Sequence, residues 1–77
     1  MGEFKKIMLD HRTETFMAVC NVMNYREAAE LLHITQPAVT QHIQFLEKEY
    51  GCRLFLYENR KLIKTPAAQM LEDYLRS

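Results

Sequence analysis

Apolar side chains recur at helical spacing along the first part of the chain. Within residues 9–23 they stand at positions i, i+3, i+4 and i+7, which places them on one face of a helix: Phe16, Val19, Cys20 and Met23. Asn24 then interrupts the pattern, and Glu27 follows three residues later, an arrangement typical of a helix N-terminus. A second, short helix is therefore predicted over Tyr25–Leu32, with an inward face formed by Ala28, Ala29 and Leu32.

A longer helix is predicted over Gln36–Tyr50. Thr35 can cap its first turn, and Pro37 suits that turn because a missing N–H costs little there. Apolar side chains again repeat along one face, at Val39, Ile43, Leu46 and Tyr50. Gly51 follows and predicts the end of the helix, because glycine adopts the left-handed backbone of a C-cap without steric cost.

Residues 53–64 have a different pattern, in which two short apolar runs flank the polar tip Glu58-Asn59-Arg60. This predicts a small β-hairpin. Thr65 and Pro66 then predict the start of a last helix, whose apolar side chains are Ala67, Met70, Leu71 and Tyr74. The order helix, helix, helix, hairpin, helix predicts a mainly α fold, a winged helix-turn-helix in which the hairpin is the wing.

Composition restricts the class of protein. The chain has 77 residues, of which 48% are hydrophobic, so it is one small domain and too apolar to be a disordered tail. A domain of this size buries only about 60% of its unfolded surface, which argues against an enzyme with a deep pocket. No segment approaches the roughly 18 apolar residues of a membrane span, and no apolar run follows the N-terminal lysines as in a secretory signal. We therefore expect a cytoplasmic binding module and no enzyme.

Cysteine and histidine predict neither a metal site nor a catalytic site. Cys20 and Cys52 are far apart, whereas zinc sites need four ligands in close pairs. Two reduced, mostly buried thiols are expected. The three histidines fall on separate elements, without a carboxylate or cysteine at ligand spacing: His11, His33 and His42. We predict no cofactor, no metal and no catalytic residue, and a packing or solvent role for His42.

The outward face of the predicted third helix carries side chains that suit DNA bases: Gln36, Thr40, Gln41, Gln44 and Lys48. Glutamine can pair with both hydrogen-bonding atoms of adenine in the major groove, and threonine can contact a base edge or a thymine methyl group. The N–H groups at the start of this helix can also bind a phosphate. A merely solvated helix face is the alternative. Residues 33–46 contain no acid, whereas acids such as Glu47 are expected on other exposed faces, and this favours DNA.

The predicted wing is basic although the whole chain has a net charge of zero. Residues 53–64 carry four basic side chains and one acid. Arg60 and Lys61 lie at the tip, from which they can reach phosphates or a minor groove. The alternative is an edge hairpin that uses lysine and arginine to prevent aggregation. Beside a helix-turn-helix, DNA contact is the favoured interpretation.

The segment Ala28-Ala29-Glu30-Leu31-Leu32-His33-Ile34-Thr35-Gln36-Pro37-Ala38-Val39-Thr40, with Gly51, Leu54-Phe55 and Thr65-Pro66-Ala67 at their spacing, resembles the N-terminal domain of LysR-type transcriptional regulators. The resemblance covers about residues 9–77. It implies a winged helix-turn-helix over 9–64 that binds an inverted-repeat operator in double-stranded DNA. Residues 1–8 are then an N-terminal extension or a cloning remnant.

The resemblance also implies partners. Residues 65–77 would begin the linker helix that pairs two protomers. Independently of the resemblance, Leu75 lies off the main apolar stripe of this helix, which indicates a further contact and so pairing. The helix is cut short here, which would weaken the homodimer. Family members are longer and bind a small-molecule inducer through a C-terminal domain that this chain lacks.

By matching position, the resemblance implies that Gln36, Pro37, Thr40 and Gln41 face the major groove and that Arg60 contacts DNA from the wing. Gln41 stands where arginine is common, and Leu56-Tyr57 replaces Glu-Arg. The predicted recognition helix is 36–50, and the predicted DNA-binding residues are Thr35, Gln36, Pro37, Thr40, Gln41, Gln44, Arg60, Lys61 and Arg26. A winged-helix protein-interaction module without DNA binding is the alternative, supported by the neutral net charge.

Overall fold

A computed structural model describes residues 11–77, which form four helices and one hairpin: α1 His11–Val22, α2 Tyr25–Leu32, α3 Gln36–Tyr50, β1 Phe55–Glu58, β2 Lys61–Lys64 and α4 Pro66–Arg76. This is the predicted order of elements. The predictions for residues 1–8 and for the start of the first helix lie outside the described residues. None of the helices within 11–77 has the length and apolar character needed to cross a membrane.

α1 contributes the centre of the core. Phe16 and Val19 are completely buried and Cys20 is nearly so, as predicted. The helix ends one residue earlier than predicted, because Met23 has a left-handed backbone with φ 49°. The Met23 N–H still donates to the Val19 carbonyl at 2.7 Å, so this turn closes the helix.

The helix-turn-helix is formed by α2 and α3. The Asn24 side chain accepts the Glu27 N–H at 2.9 Å, which confirms the predicted cap of α2. Ala28 and Ala29 are buried, and their small side chains let α2 pack closely on α1 and α3. α2 ends at Leu32, and its C-cap His33 has a left-handed backbone with φ 59° that turns the chain toward α3.

α3 has the predicted bounds and caps. The Thr35 side chain accepts the Ala38 N–H at 3.2 Å, and Gly51 adopts the left-handed conformation with φ 69°. The predicted core residues Val39, Ile43 and Leu46 are buried. The prediction for Tyr50 was wrong. Its side chain is 43% exposed, because it is the last helical residue and lies beyond the packed part of the helix.

The hairpin is a regular antiparallel pair, with Phe55 opposite Lys64 and Glu58 opposite Lys61. The two turn residues, Asn59 and Arg60, both have positive φ, 52° and 66°. This is the backbone of a two-residue type I′ turn, whose twist matches the twist of paired strands. The tip therefore consists of Asn59 and Arg60. The prediction that Glu58 and Lys61 belong to the tip was wrong, because these two residues pair with each other as the last of β1 and the first of β2.

Packed aromatic rings and a carboxylate join the hairpin to α1, α2 and α3. The Phe55 ring is 2% exposed and lies 5.6 Å from the Phe16 ring and 6.3 Å from the Tyr25 ring, measured between centroids. The Glu47 carboxylate of α3 accepts the Leu54 N–H at 2.8 Å and pairs with Arg53 at 3.3 Å. The expectation that Glu47 is a solvated surface acid was therefore wrong, because its side chain holds the start of the hairpin.

α4 begins as predicted, since the Thr65 side chain accepts the Ala68 N–H at 3.1 Å. Its predicted inward face was partly wrong. Met70 and Tyr74 are 73% and 60% exposed, whereas the inward positions are Ala68, Leu71, Glu72 and Leu75. These positions share one face at helical spacing. Leu75, predicted to lie off the core-facing stripe, packs on the core.

A buried acid explains this rotation of α4. Glu72 is 6% exposed, and its carboxylate accepts hydrogen bonds from Lys64 at 2.7 Å and from Arg76 at 2.9 Å. Arg76 also donates to the Asn21 side chain of α1 at 2.6 Å. Because both cations neutralise it, an acid can occupy a position that a pattern of apolar residues alone assigns to the surface.

The two thiols are free, as predicted, but they differ in burial. Cys20 is buried, and burial together with the negative charge of Glu72 raises its pKa to about 12. The expectation of burial was wrong for Cys52, which is exposed because it lies in the turn after Gly51, outside the core.

Candidate nucleic-acid interface

Three elements enclose a cleft of about 670 Å³ on one side of the domain. α2 contributes Arg26, α3 contributes Gln36, and the hairpin contributes Arg60 and Lys61. All four side chains are exposed. The sequence predicted each of them separately, and the structure brings them to one place. A cleft lined by three cations and an amide is suited to a polyanion.

A second, shallower depression of about 550 Å³ continues this surface along α3. It is lined by Gln36, Pro37, Thr40 and Gln41. Gln36 borders both concavities, so the amides and the cations form one continuous surface. Gln44 borders neither, but it is exposed one turn further along the same helix. We call the α3 part of this surface, residues 35–44, the amide strip.

The start of α3 offers fewer N–H groups to an anion than expected. Pro37 has no N–H, and the Ala38 N–H is accepted by the Thr35 hydroxyl. Among the first three residues of α3, Gln36 is therefore the one whose backbone N–H is neither missing nor bonded to the Thr35 hydroxyl. The Thr35 hydroxyl retains its own proton, because a hydroxyl can accept and donate at once, so it too can bond a phosphate.

Ion pairs neutralise the hairpin cations that lie away from the tip and leave those at the tip and next to it, Arg60 and Lys61, without an acid partner in the described part of the chain. Arg53 pairs with Glu47 at 3.3 Å and Lys64 with Glu72 at 2.7 Å. None of the ion pairs found within residues 11–77 includes Arg60 or Lys61. The two hairpin cations that face the cleft, Arg60 and Lys61, are therefore the hairpin cations that the acids within residues 11–77 leave unneutralised.

Two tyrosines in the cleft were missed as site residues. Tyr25 and Tyr57 both line it, and the Tyr57 side chain is 67% exposed. Burial, with the negative charge of Glu47, raises the pKa of Tyr25 to about 12, so its hydroxyl stays protonated at neutral pH. Alternation along β1 could have revealed Tyr57, because it lies two residues after the buried Phe55 and on the same side of the strand.

His42 connects α3, which carries the amide strip, to α1. Its Nδ1 atom lies 2.8 Å from the hydroxyl of the buried Thr15 in α1. The same hydroxyl donates to the His11 carbonyl at 2.9 Å, so Thr15 connects α3 to the first turn of α1. Of the two predicted roles, packing or solvent contact, His42 has the packing role. Within residues 11–77 no group of three or more histidine, cysteine or acidic side chains is placed to hold a metal ion.

Residues 11–69 match the family model described as bacterial regulatory helix-turn-helix protein, lysR family. The HTH-type transcriptional regulator CitR of Bacillus subtilis (strain 168) is 38% identical over 71 residues, which is 82% of this chain. The HTH-type transcriptional activator CmpR of Synechocystis sp. (strain PCC 6803) is 36% identical over 63 residues, again 82% of this chain. The chain spans 24% and 21% of the lengths of these two relatives.

Solved structures have the same fold. A LysR-family transcriptional regulator from Eggerthella lenta DSM 2243 is 56% identical, with a TM-score of 0.87 over 90% of this chain and 99% of that chain. The CbnR_DBD–DNA complex matches with 30% identity and a TM-score of 0.79, over 86% of this chain and 76% of that one. The BenM_DBD complex with catB site 1 DNA matches with 31% identity and a TM-score of 0.78, over 83% and 72%.

Proposed function

The chain belongs to the lysR family of bacterial regulatory helix-turn-helix proteins, and from this premise we propose that it is the sequence-specific DNA-binding domain of a transcription regulator. The observation that carries the proposal is the acid-free amide strip, continuous with a cleft lined by cations. α3 occupies the major groove, and the hairpin lies on the backbone or in the minor groove. The chain spans about a quarter of the length of its relative CitR. We also propose that the whole protein binds a small-molecule inducer.

The contacts divide by chemistry. Gln36 and Gln41 bond base edges, while Pro37 and Thr40 make apolar contacts with bases, and Gln44 extends this set by one turn. Arg26, Arg60 and Lys61 neutralise phosphates, and the Thr35 hydroxyl donates to one. Amides thus supply the sequence preference and cations supply the affinity.

We further propose that α4 begins a linker helix that pairs with a second copy of the chain. Met70 and Tyr74 are four residues apart and exposed, so they present an apolar stripe away from the core. In this proposal Met70 and Tyr74 contact the second copy, and Leu75 does not, because it packs on the core. A homodimer would fit an inverted-repeat operator, since its two-fold symmetry places one recognition helix on each half-site. A cytoplasmic regulator without enzymatic activity fits relatives that are named as transcription regulators.

Selection from a random-sequence duplex pool, carried out at two salt concentrations, tests the proposal. We expect enrichment of a motif with dyad symmetry, with binding that weakens as salt rises because phosphate contacts release counterions. Salt-dependent binding without enrichment would contradict sequence specificity. No binding at low salt would favour the alternative, a protein-interaction module without DNA binding.

Gln36→Ala and Gln41→Ala should each weaken binding to the selected site by about 1–3 kcal/mol and relax the preference at one base position. The reason is that each amide makes its contact with a base and not with a phosphate. Competition titrations against selected and random duplexes measure both effects. Gln69→Ala is the matched control, since Gln69 is exposed on α4 and bonds Asp73 at 3.0 Å. Equal losses on the two kinds of DNA would show that the amides do not read bases.

Arg60→Ala should weaken binding to every duplex and reduce the steepness of the salt dependence by about one counterion. Arg60 has a left-handed backbone with φ 66°, so Arg60→Gly removes the same charge and keeps the turn unstrained. The two variants should have the same shallower slope. Arg53→Gln is the control, because Arg53 pairs with Glu47 outside the cleft. A slope unchanged by loss of Arg60 would exclude a phosphate contact at the tip.

A further inference from the structure

Tyr57 is a large exposed aromatic side chain that the proposed set of contacts does not use. It pairs with Leu62 across the hairpin and lies on the same side of β1 as Phe55. Phe55 is in the core and Leu62 packs against it, so this side of the hairpin faces the helices. Two residues beyond Phe55 the strand passes the edge of the core, and there the Tyr57 ring is 67% exposed.

The surroundings of Tyr57 are positively charged. It shares the cleft with Arg26, Gln36, Arg60 and Lys61, and none of the nine residues that line this cleft is an acid. A phenol hydroxyl is a neutral donor that bonds well to an anionic oxygen. The ring also presents apolar surface that gains from being covered. Both properties suit an anionic ligand that carries apolar groups beside its phosphates, as a DNA backbone does.

We propose that Tyr57 is a further DNA-contacting residue, whose hydroxyl donates a hydrogen bond to a backbone phosphate of the strand that Arg26 and Arg60 neutralise. The inference rests on the proposed function, because the partner is the same duplex DNA. The ring covers the sugar next to that phosphate. The cations attract the strand at a distance, and the phenol sets the position of one phosphate, because a hydrogen bond is directional.

Salt dependence separates this role from the role of Arg60. A cation that pairs with a phosphate displaces a counterion, and its removal makes the salt dependence shallower. A neutral donor displaces none. Removing the Tyr57 hydroxyl should therefore weaken binding by the same factor at every salt concentration.

The experiment compares Tyr57→Phe with the unchanged 77-residue chain, by fluorescence anisotropy with a labelled random-sequence duplex at several salt concentrations. We expect the Kd to rise about three- to tenfold, with the salt slope unchanged. Tyr50→Phe is the matched control, since Tyr50 is a tyrosine at the end of α3 that is 43% exposed and does not line the cleft. Its Kd for DNA should equal that of the unchanged chain.

The outcomes separate the two proposals. If the unchanged chain binds no DNA at low salt, the proposed function fails. If it binds and Tyr57→Phe binds equally well, the hydrogen bond from Tyr57 is refuted and the proposed function stands. A shallower slope for Tyr57→Phe would also refute it, because the substitution would then act through the neighbouring cations. Both substitutions are at exposed positions, so we expect the variants to fold. Thermal unfolding of each variant verifies this.

Discussion

Phe55→Ala is expected to lower the free energy of unfolding by about 3–5 kcal/mol, the cost of truncating a fully buried aromatic ring. Phe55 is 2% exposed and lies between the Phe16 and Tyr25 rings, so its removal leaves a cavity where the hairpin meets the helices. Domains of this size have a free energy of unfolding of about 4–10 kcal/mol, so the substitution removes a large part of it. Chemical denaturation followed by circular dichroism measures it.

Tyr57→Ala is the control for Phe55→Ala, because it removes an aromatic ring from the same side of the same strand at an exposed position. It should change the free energy of unfolding by less than about 1 kcal/mol. If Phe55→Ala cost as little, the hairpin would not be part of the cooperative core. The positions of Arg60 and Lys61 would then not be set by the packing of the helices.

Glu72→Gln is expected to have the second largest effect, a loss of about 1–3 kcal/mol at neutral pH. The substitution keeps the shape of the side chain and removes its charge. Lys64 and Arg76 then lose the carboxylate that accepts their hydrogen bonds at 2.7 and 2.9 Å. Denaturant titration at pH 7 measures the loss. Asp73→Asn, at the exposed neighbouring position, is the control and should change stability little.

The effect of Glu72 should depend on pH. Hydrogen bonds from Lys64, and then from Arg76, hold the pKa of Glu72 below its usual value, against an opposing effect of burial. Its contribution is therefore complete above the pKa of a glutamate in the unfolded chain, about 4.3, and declines as the pH falls through the folded pKa. The stability difference between the unchanged chain and Glu72→Gln should be constant above about pH 5 and shrink below pH 4. A constant difference down to pH 2 would contradict the lowered pKa.

The Glu72 cluster has a functional consequence, since it connects three elements. Glu72 bonds Lys64 of β2, and Arg76 bonds Asn21 of α1 at 2.6 Å. α4 is thereby held in one direction relative to the hairpin and the amide strip. In the proposed dimer, that direction would set the distance between two recognition helices, and hence the spacing of the half-sites.

Features that depend on neighbours along the chain were predictable. The caps of α2, α3 and α4 each join a side chain to an N–H three residues later, so Asn24, Thr35 and Thr65 were identified from sequence. The bounds of α3 followed from its apolar period and from Gly51. The exposed positions of Arg60 and Lys61 followed from their place next to a turn.

Features that depend on distant parts of the chain were not predictable. The inward face of α4 was only partly predicted, because Glu72 looks like a surface acid until Lys64 and Arg76 are placed beside it. Glu47 looked like a surface acid for the same reason, and its acceptance of the Leu54 N–H shows only in the folded chain. Alternation along β1 places Tyr57 on the side of Phe55, but only the folded chain shows the cleft that Tyr57 shares with the cations.

The sequence by itself determined the elements, their caps, the family and the chemistry of the amide strip. Each of these rests on residue spacing within one or two helical turns, and such short-range preferences act in the unfolded chain as well. Only the tertiary structure decided which acids are buried and which cations stay unneutralised. It also decided that Arg26, Gln36 and Arg60 share one cleft. The physical reason is that the cost of burying a charge depends on its partners in space, and folding chooses those partners from segments far apart in sequence.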